Sequence, residues 1–406
     1  MPAIRWLFLH CAAFVLLATC CPKVQASDLK VEADRIVSEF ARQSGTPGLS
    51  ASVGIHGQQV WSTGFGFADV EQRVAVDPAR TKFRIGSVAK PLTAFALVQL
   101  VAQGKVDLGQ DVRRYVPQFP PKEHTFTVAQ LAGHLACVRH YAGDEAYSRT
   151  RYLSAAAALE VFQDDALVCV PGTEWRYSSY GYNLLSVVIE RAAEKPFLEH
   201  LDQSVLLPFG MTSTEPDRIE EVVLNRGRYY VRRDGQLYNE PEVDNSNKWA
   251  SGGMLSTTDD LVRFGLALMN SPQVSSAMRE LLWTEQATTS GEPTGYGIGF
   301  RVVVDKEGTR WIGHGGGSIG GTTQFWLFPE TGMVIAVASN LTELDYTDLI
   351  PRLRDLFVGR SANQQDSPQN GSQPMANYSL KRTDQSLRDL CCRLAQALSA
   401  TKHYPP

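Results

Sequence analysis

Phe83-Arg84-Ile85-Gly86-Ser87-Val88-Ala89-Lys90-Pro91-Leu92-Thr93-Ala94 is the stretch around which the chain is organised. Gly86 and Ser87 read as a helix start, with Ser87 a good N-cap and Pro91 tolerated in the first turn. An apolar helix follows over Leu92 to Val101, and Gly104 is placed to end it. Residues three apart share a helix face, so Ser87 Oγ and Lys90 Nζ can meet. A serine hydroxyl is a weak nucleophile until a neighbour helps remove its proton. A buried lysine can do so, because burial disfavours its charged form. A serine at a helix start also lies near backbone N–H groups that can stabilise an oxyanion. Alone, Ser-x-x-Lys says little; Ser27-Asp28-Leu29-Lys30 matches it too.

Two later stretches supply context. The first is Pro171-Gly172-Thr173-Glu174-Trp175-Arg176-Tyr177-Ser178-Ser179-Tyr180-Gly181. A tyrosine beside a Ser and Lys pair can relay the serine proton to a leaving group. The bland reading is that Tyr177 is one of 14 tyrosines and merely packs. The second is Trp311-Ile312-Gly313-His314-Gly315-Gly316-Gly317-Ser318-Ile319-Gly320-Gly321-Thr322, which begins at a strand end; its bland reading is a glycine-rich loop with a solvent-facing histidine. Consecutive glycines let backbone approach a ligand closely. The N–H of Gly317 can complete an oxyanion hole with that of Ser87. His314 can hold a substrate carboxylate when protonated, or hydrogen-bond the Ser-Tyr system when neutral.

The order Gly86-Ser87-Val88-Ala89-Lys90, Tyr177-Ser178-Ser179, His314-Gly315-Gly316 resembles the three motifs of class C beta-lactamases and the related penicillin-binding proteins, D,D-carboxypeptidases and esterases. Val138-Arg139-His140-Tyr141, Tyr177 to Gly181, Ala250 to Thr257 and Tyr296-Gly297-Ile298-Gly299-Phe300 extend the likeness, most closely to LACTB-type serine beta-lactamase-like proteins. It spans Val31 to Phe357. The resemblance implies Ser87 as acylated nucleophile, Lys90 as its base, Tyr177 as proton shuttle and His314 in place of the usual third-motif lysine. Ser179, Gly315 and Gly316 then face substrate. Two departures stand out. Ser179 replaces a common Asn that contacts an acyl-amide, and His314 lacks a permanent charge at neutral pH.

Elsewhere the pattern is legible in blocks. Asp28 to Gln43 has helical spacing, and Leu49 to Ile55 with Val60 to Phe67 reads as a hairpin about His56-Gly57-Gln58. From Thr127 to Leu282 the chain reads as largely helical, including Ser154 to Phe162, Tyr182 to Ala193 and a helix capped at Thr257. Arg228 to Arg232 and Gln236 to Tyr238 are short strands. Gly299 to Val304, Thr309 to Ile312, Thr322 to Phe328 and Met333 to Ala338 are late strands, and Asp345 to Phe357 is a final helix. Strands early and late, joined by short turns, imply an α+β fold. Its antiparallel sheet is built from N- and C-terminal strands, flanked by helices, around a large mostly helical insertion.

The chain has 406 residues, 43% hydrophobic and 20% charged, with net charge -4. No basic run or patch points to nucleic acid. Met1 to Ala26 reads as a secretory signal, its apolar run too short to span a bilayer. Residues 27–360 form the hydrolase domain, 361–376 a linker, and 377–406 a short helical tail suited to self-association. Lipidation of Cys20 ranks second to cleavage after Ala26, so the protein reads as exported. Cys137 with Cys169 is the preferred disulfide; Cys391 and Cys392 are adjacent and would pair only under strain. No metal-ligand spacing occurs, and no cofactor is implied. His56, His134 and His140 read as structural or surface, and Lys248 as solvated. The residues together point to a serine hydrolase acting on a peptide, amide or ester through an acyl-enzyme. The rivals are a true beta-lactamase or D,D-carboxypeptidase, and an idle scaffold on the same fold.

Overall fold

A computed structural model describes residues 26–359. The expected signal before Ala26, Cys20, the 361–376 linker, the 377–406 tail, Cys391 and Cys392 lie outside the described residues. The first helix, α1 (Ala26–Ser44), buries Ala33, Ile36, Val37 and Phe40 on one face. Lys30, of the second Ser-x-x-Lys match, is exposed on it. Strands β1 (Gly48–Ile55) and β2 (Gln58–Asp69) form the expected hairpin. His56 and Gly57 turn it at φ 49° and 84°, the left-handed backbone of a tight hairpin turn. A two-residue β3 (Val74–Ala75) extends its edge, and β4 (Phe83–Arg84) leads into the serine segment.

The serine segment is a 3₁₀ turn, Gly86–Val88, followed by α2 (Ala89–Ala102). Nearly every residue of α2 is buried, so it runs through the core rather than along its surface. The middle of the chain supplies α3 (Val128–Ala132), α4 (Ser179–Ala193), α5 (Phe197–Leu201), β5 (Glu215–Pro216), the hairpin β6 (Tyr230–Arg233) and β7 (Gln236–Asn239), β8 (Met254–Ser256), α6 (Thr258–Asn270) and α7 (Ser276–Trp283). The chain closes with β9 (Arg301–Val304), β10 (Arg310–Ser318), β11 (Gly321–Phe328), β12 (Met333–Ser339) and α8 (Leu349–Val358).

The main sheet has the order β3-β2-β1-β12-β11-β10-β9, with every neighbouring pair antiparallel. Both chain ends therefore build it, as the early and late strands require. Alternation along β12 divides the interior. Ile335 and Val337 pack with α1 and α8, while Val334 and Ala336 pack with the helical side. Thr257 caps α6, and Ser50 and Ser52 of β1 bond Thr258 and Asp259 in its first turn.

Four expectations need correction. Ser87 is not an N-cap; it makes no capping bond, because its hydroxyl is engaged by other side chains. The glycine run after His314 is not a loop. Ile312 to Ser318 pair residue by residue with β11, so backbone hydrogen bonds hold an extended strand without side-chain periodicity. Segment 154–162 contains only a 3₁₀ turn, Ala157–Val161, and much of 134–178 is irregular chain held by tertiary contacts. The final helix starts at Leu349 rather than Asp345.

The irregular region is not loose. Cys137 and Cys169 form a disulfide with Sγ–Sγ 1.98 Å. Around it, Val168 N–H donates to Cys137 O (2.9 Å), Gly172 N–H to Leu135 O (2.7 Å) and Arg176 N–H to His134 O (2.8 Å). This ladder leads directly into Tyr177. Replacing both Cys137 and Cys169 by serine should lower the unfolding free energy by about 2–4 kcal/mol, read from urea denaturation. An unchanged midpoint would mean that the ladder stands without the crosslink.

Candidate active site

The Ser87 turn and β10 touch backbone to backbone. A Cβ on Gly316 would lie 2.0 Å from Ile85 O and 3.0 Å from Ser87 N; one on Gly86 would lie 2.6 Å from Gly317 O. Gly86 also has φ 51°, which a side chain disfavours. Only glycine at both places lets the strand reach the serine. Gly316 is accordingly buried against the turn, Gly315 lies beside the Gln324 side chain, and Gly317 is exposed with open space before it.

Ser87 is partly exposed, and two groups converge on its hydroxyl. Tyr177 Oη lies 2.7 Å away and donates to it. Lys90 Nζ lies 3.1 Å away, and also reaches Ser251 O at 2.7 Å and Ser179 Oγ at 3.2 Å. Lys90 has no exposed surface. Burial, reinforced by the nearby Arg301 guanidinium, pulls its pKa well below the ordinary lysine value. A neutral amine has two N–H donors and one lone pair. Ser251 O accepts one hydrogen and Ser179 Oγ the other, which directs the lone pair at Ser87. Burial pushes the Tyr177 phenol pKa up, against the lowering effect of its Ser87 bond, so it stays protonated near neutrality.

His314 is buried and does not hydrogen-bond Ser87 or Tyr177. Its Nδ1 lies 2.5 Å from Gly315 O and its Nε2 3.0 Å from the Tyr296 hydroxyl. A carbonyl only accepts, so Nδ1 carries the proton and Nε2 accepts from Tyr296. Burial, then Arg301 and Lys90, hold its pKa well below the usual histidine value. The protonated alternative is therefore disfavoured by its surroundings.

Reading the sequence missed several neighbours. His134, set aside as structural or surface, is buried with its ring 4.4 Å from that of Tyr177 and 4.7 Å from that of Tyr296. Its Nδ1 accepts from Ser178 N–H at 3.2 Å. His140 Nδ1 accepts from Ser179 N–H at 3.1 Å. Lys248 is buried, not solvated; its ammonium donates to Ala146 O at 2.7 Å, and burial lowers its pKa to about 8. Arg301 opens β9, pairs with Gly313 of β10, and lies 5.9 Å over the Trp175 ring. It acts electrostatically on Lys90, Tyr177, His134, Tyr296 and His314, yet no carboxylate pairs with it among the described residues. The blocks Val138 to Tyr141 and Tyr296 to Phe300 were signals that could have flagged His140 and Arg301. Among the described residues no His, Cys, Asp and Glu cluster could hold a metal ion, and no helix is long and apolar enough to cross a membrane.

A lysine amine and a phenol meeting on one serine, beneath a glycine-rich edge of an antiparallel sheet, place the chain in the class of active-serine folds of the beta-lactamase and transpeptidase type. The family model described as Beta-lactamase matches residues 33–357, and the chain belongs to this family, whose members are serine hydrolases. The mitochondrial serine beta-lactamase-like protein LACTB of Homo sapiens is 29% identical over 396 residues, covering 74% of this chain and 72% of its own. An octameric penicillin-binding protein homologue from Pyrococcus abyssi superposes with TM-score 0.69 at 24% identity, covering 81% of this chain and 77% of its own. A D-amino acid amidase from Ochrobactrum anthropi gives 0.72 at 21%, covering 82% and 100%. The two structures bear on fold alone.

The buried histidines have a consequence for stability. The pKa of His140 is lowered to about 3, chiefly by burial, and those of His134 and His314 are also depressed. These groups are neutral in the fold but bind protons in the unfolded chain below its histidine pKa of about 6.5. Their contribution is full above that pH and is lost as pH falls through the window down to the folded value. Unfolding free energy should drop between pH 7.5 and 5, with a limiting slope of about 1.4 kcal/mol per pH unit for each histidine. Urea titrations at several pH values measure it; a His140→Gln protein should show a shallower slope.

Proposed function

We propose that the protein is a serine hydrolase that cleaves peptide, amide or ester bonds through an acyl-enzyme on Ser87. One observation carries this reading: a hydroxyl held at once by a desolvated lysine at 3.1 Å and a protonated tyrosine at 2.7 Å. In the first half-reaction Ser87 Oγ bonds to the substrate carbonyl carbon as its proton passes to Lys90. The carbonyl oxygen becomes an oxyanion facing the N–H groups of Ser87 and Gly317. As the tetrahedral intermediate collapses, Tyr177 gives its proton to the departing nitrogen or oxygen and is reprotonated from Lys90, whose Nζ lies 4.7 Å from the Tyr177 ring centre. Water then repeats the sequence in reverse, releasing the acid and Ser87. His314 supports this frame through Tyr296 and Gly315 rather than by carrying charge.

Arg301 supports a narrower reading. With His314 neutral, it is a permanent cation beside Tyr177, and no carboxylate among the described residues pairs with it. We infer that it receives an anionic group on the leaving side of the substrate, such as a terminal carboxylate. The disulfide favours work in an oxidising compartment, in keeping with export by the 1–26 segment. "Mitochondrial" belongs to the name of the LACTB relative and leaves that proposal to experiment.

Intact mass after exposure to an activated ester and to a fluorescent penicillin tests the acyl-enzyme. Wild type should gain an acyl mass with at least one probe and Ser87→Ala with none. Lys90→Met should acylate more than about a hundredfold slower, and full activity in that protein would remove Lys90 from the mechanism. Arg301→Gln should raise KM for a carboxylate-terminated peptide by about tenfold, equivalent to about 1.4 kcal/mol, and leave that for its C-terminal amide unchanged. Equal effects on both peptides would remove Arg301 from substrate recognition.

A further inference from the structure

Tyr177 lies in irregular chain just before the start of α4, and no helix or strand fixes it. Its phenol nevertheless sits 2.7 Å from Ser87 Oγ, so the segment must be held by other means. One residue grips the backbone on both sides of it. His134 O accepts from Arg176 N–H at 2.8 Å, and His134 Nδ1 accepts from Ser178 N–H at 3.2 Å. These donors belong to the residues immediately before and after the tyrosine. Ser178 is fixed in turn, its hydroxyl donating to Arg139 O at 2.7 Å and capping α4 at Gly181 N–H.

The imidazole also backs the tyrosine directly. Its ring centre lies 4.4 Å from that of Tyr177, with Tyr296 at 4.7 Å, Tyr182 at 5.2 Å and Trp175 at 5.9 Å around it. His134 is 2% exposed, so it cannot turn aside without displacing those rings. Its backbone is left-handed at φ 65°, which histidine and asparagine adopt more readily than most side chains. The Ser87 hydroxyl is held by Lys90 and Tyr177, not by His134, which reaches the reaction through Tyr177.

Packing alone does not account for a histidine here. Ser178 N–H only donates, so Nδ1 carries no proton and the ring hydrogen sits on Nε2. That Nε2 is buried without a hydrogen-bond partner among the described residues, which costs stability. Burial chiefly keeps the pKa of the ring well below the usual histidine value, so Nδ1 stays free to accept. A phenyl ring would fill the same space with no orphaned atom, and would leave Ser178 N–H unheld. What the imidazole adds over a hydrocarbon is the bond beside Tyr177.

We propose that His134 is a positioning residue for proton transfer by Tyr177: it brackets the tyrosine through the N–H groups of Arg176 and Ser178 and backs its ring, so that the phenol stays in reach of both Ser87 and the leaving group. This rests on the acyl-enzyme reading of Ser87. In that step the Tyr177 O–H bond breaks as a new O–H or N–H bond forms on the departing group, and Lys90 returns a proton to the phenolate. His134 gains and loses no proton. A misplacement of about 1 Å can cost a rate factor of about a hundred, so the hold on this one side chain bears directly on rate.

The test uses p-nitrophenyl butanoate and trifluoroethyl butanoate, which share an acyl group. Nitrophenolate departs without a proton, whereas the more basic trifluoroethoxide needs one. His134→Gly leaves the left-handed backbone unstrained but removes the imidazole; His134→Asn keeps an acceptor near the place of Nδ1 and tolerates that backbone. For His134→Gly, kcat/KM on the trifluoroethyl ester should fall about tenfold or more, and on the nitrophenyl ester stay within about threefold, which also verifies that the variant folds. His134→Asn should recover most of that loss. Tyr177→Phe should show the same selective loss, and adding His134→Gly to it should cost no more than about twofold further. If the glycine chain does not fold, His134→Phe, which fills the ring's space and lacks the acceptor, takes its place. Equal losses on both esters, no loss on either, no recovery by asparagine, or a full further loss in the Tyr177→Phe background would overturn the inference. Intact mass separates this failure from that of its foundation. A Ser87 adduct on wild type with equal losses sinks the His134 assignment alone. Wild type that gains no adduct from either ester sinks the acyl-enzyme reading and this inference with it.

Discussion

A lysine amine sealed from water governs this structure. An ammonium at the Lys90 position would cost several kcal/mol to desolvate, and among the described residues no carboxylate pairs with it to offset that cost. The fold instead offers one carbonyl, from Ser251, and two hydroxyls, from Ser179 and Ser87. That set fits a neutral amine, with two donors and one lone pair. It also explains why α2 is buried on nearly all sides, since a helix on the surface would leave Lys90 hydrated and charged. Sheet, α4 and α7 surround α2, and the turn at Lys248 to Gly253 exists to deliver one carbonyl. The carbonyl of Lys248 accepts from the N–H groups of Ser251, Gly252 and Gly253, which fixes the direction of Ser251 O.

The second constraint is the approach of β10 to the Ser87 turn. A Cβ at 86 or 316 would fall 2.6 or 2.0 Å from a facing backbone oxygen, so the two backbones, and with them the N–H groups of Ser87 and Gly317, would be driven apart. This explains which parts of the chain were legible. The Ser87 and Lys90 pair is encoded locally, by a spacing of three, and needs no tertiary information. The hairpin at His56-Gly57 is likewise local, because its turn chemistry is. The strand through Gly313 to Ser318 is not, since glycines carry no periodicity and its extended form depends on β11. Residues 134–178 misled for the opposite reason. Their apolar side chains are buried by a disulfide-tied ladder rather than by helical repetition.

The site was legible only where motif and neighbour coincide. Tyr177 could be found because it stands in a motif, but its supporting rings could not. His134 precedes it by more than forty residues, and Tyr296 follows by more than a hundred; only folding stacks them. Arg301 lies thirteen residues before His314, and the sharp β9 to β10 reversal brings the two strands together. Its importance is visible only once His314 is seen to be neutral.

Those two residues together set the electrostatics of the cleft. A permanent guanidinium close to three titratable bases disfavours protonation of each, and desolvation acts in the same direction. Desolvation and this cation together keep Lys90 and the histidines unprotonated, while the cation remains the centre that the proposed anionic substrate group would meet. An anion bound beside Arg301 would cancel part of that field and raise the proton affinity of Lys90. On the proposed mechanism, bound substrate would thus raise the proton affinity of Lys90 as the Ser87 proton is taken. A charged histidine at 314 would lack this coupling, because its own titration would compete with that of Lys90. The exchange of a charged third-motif side chain for a neutral imidazole is then a relocation of positive charge by one strand, from β10 to β9.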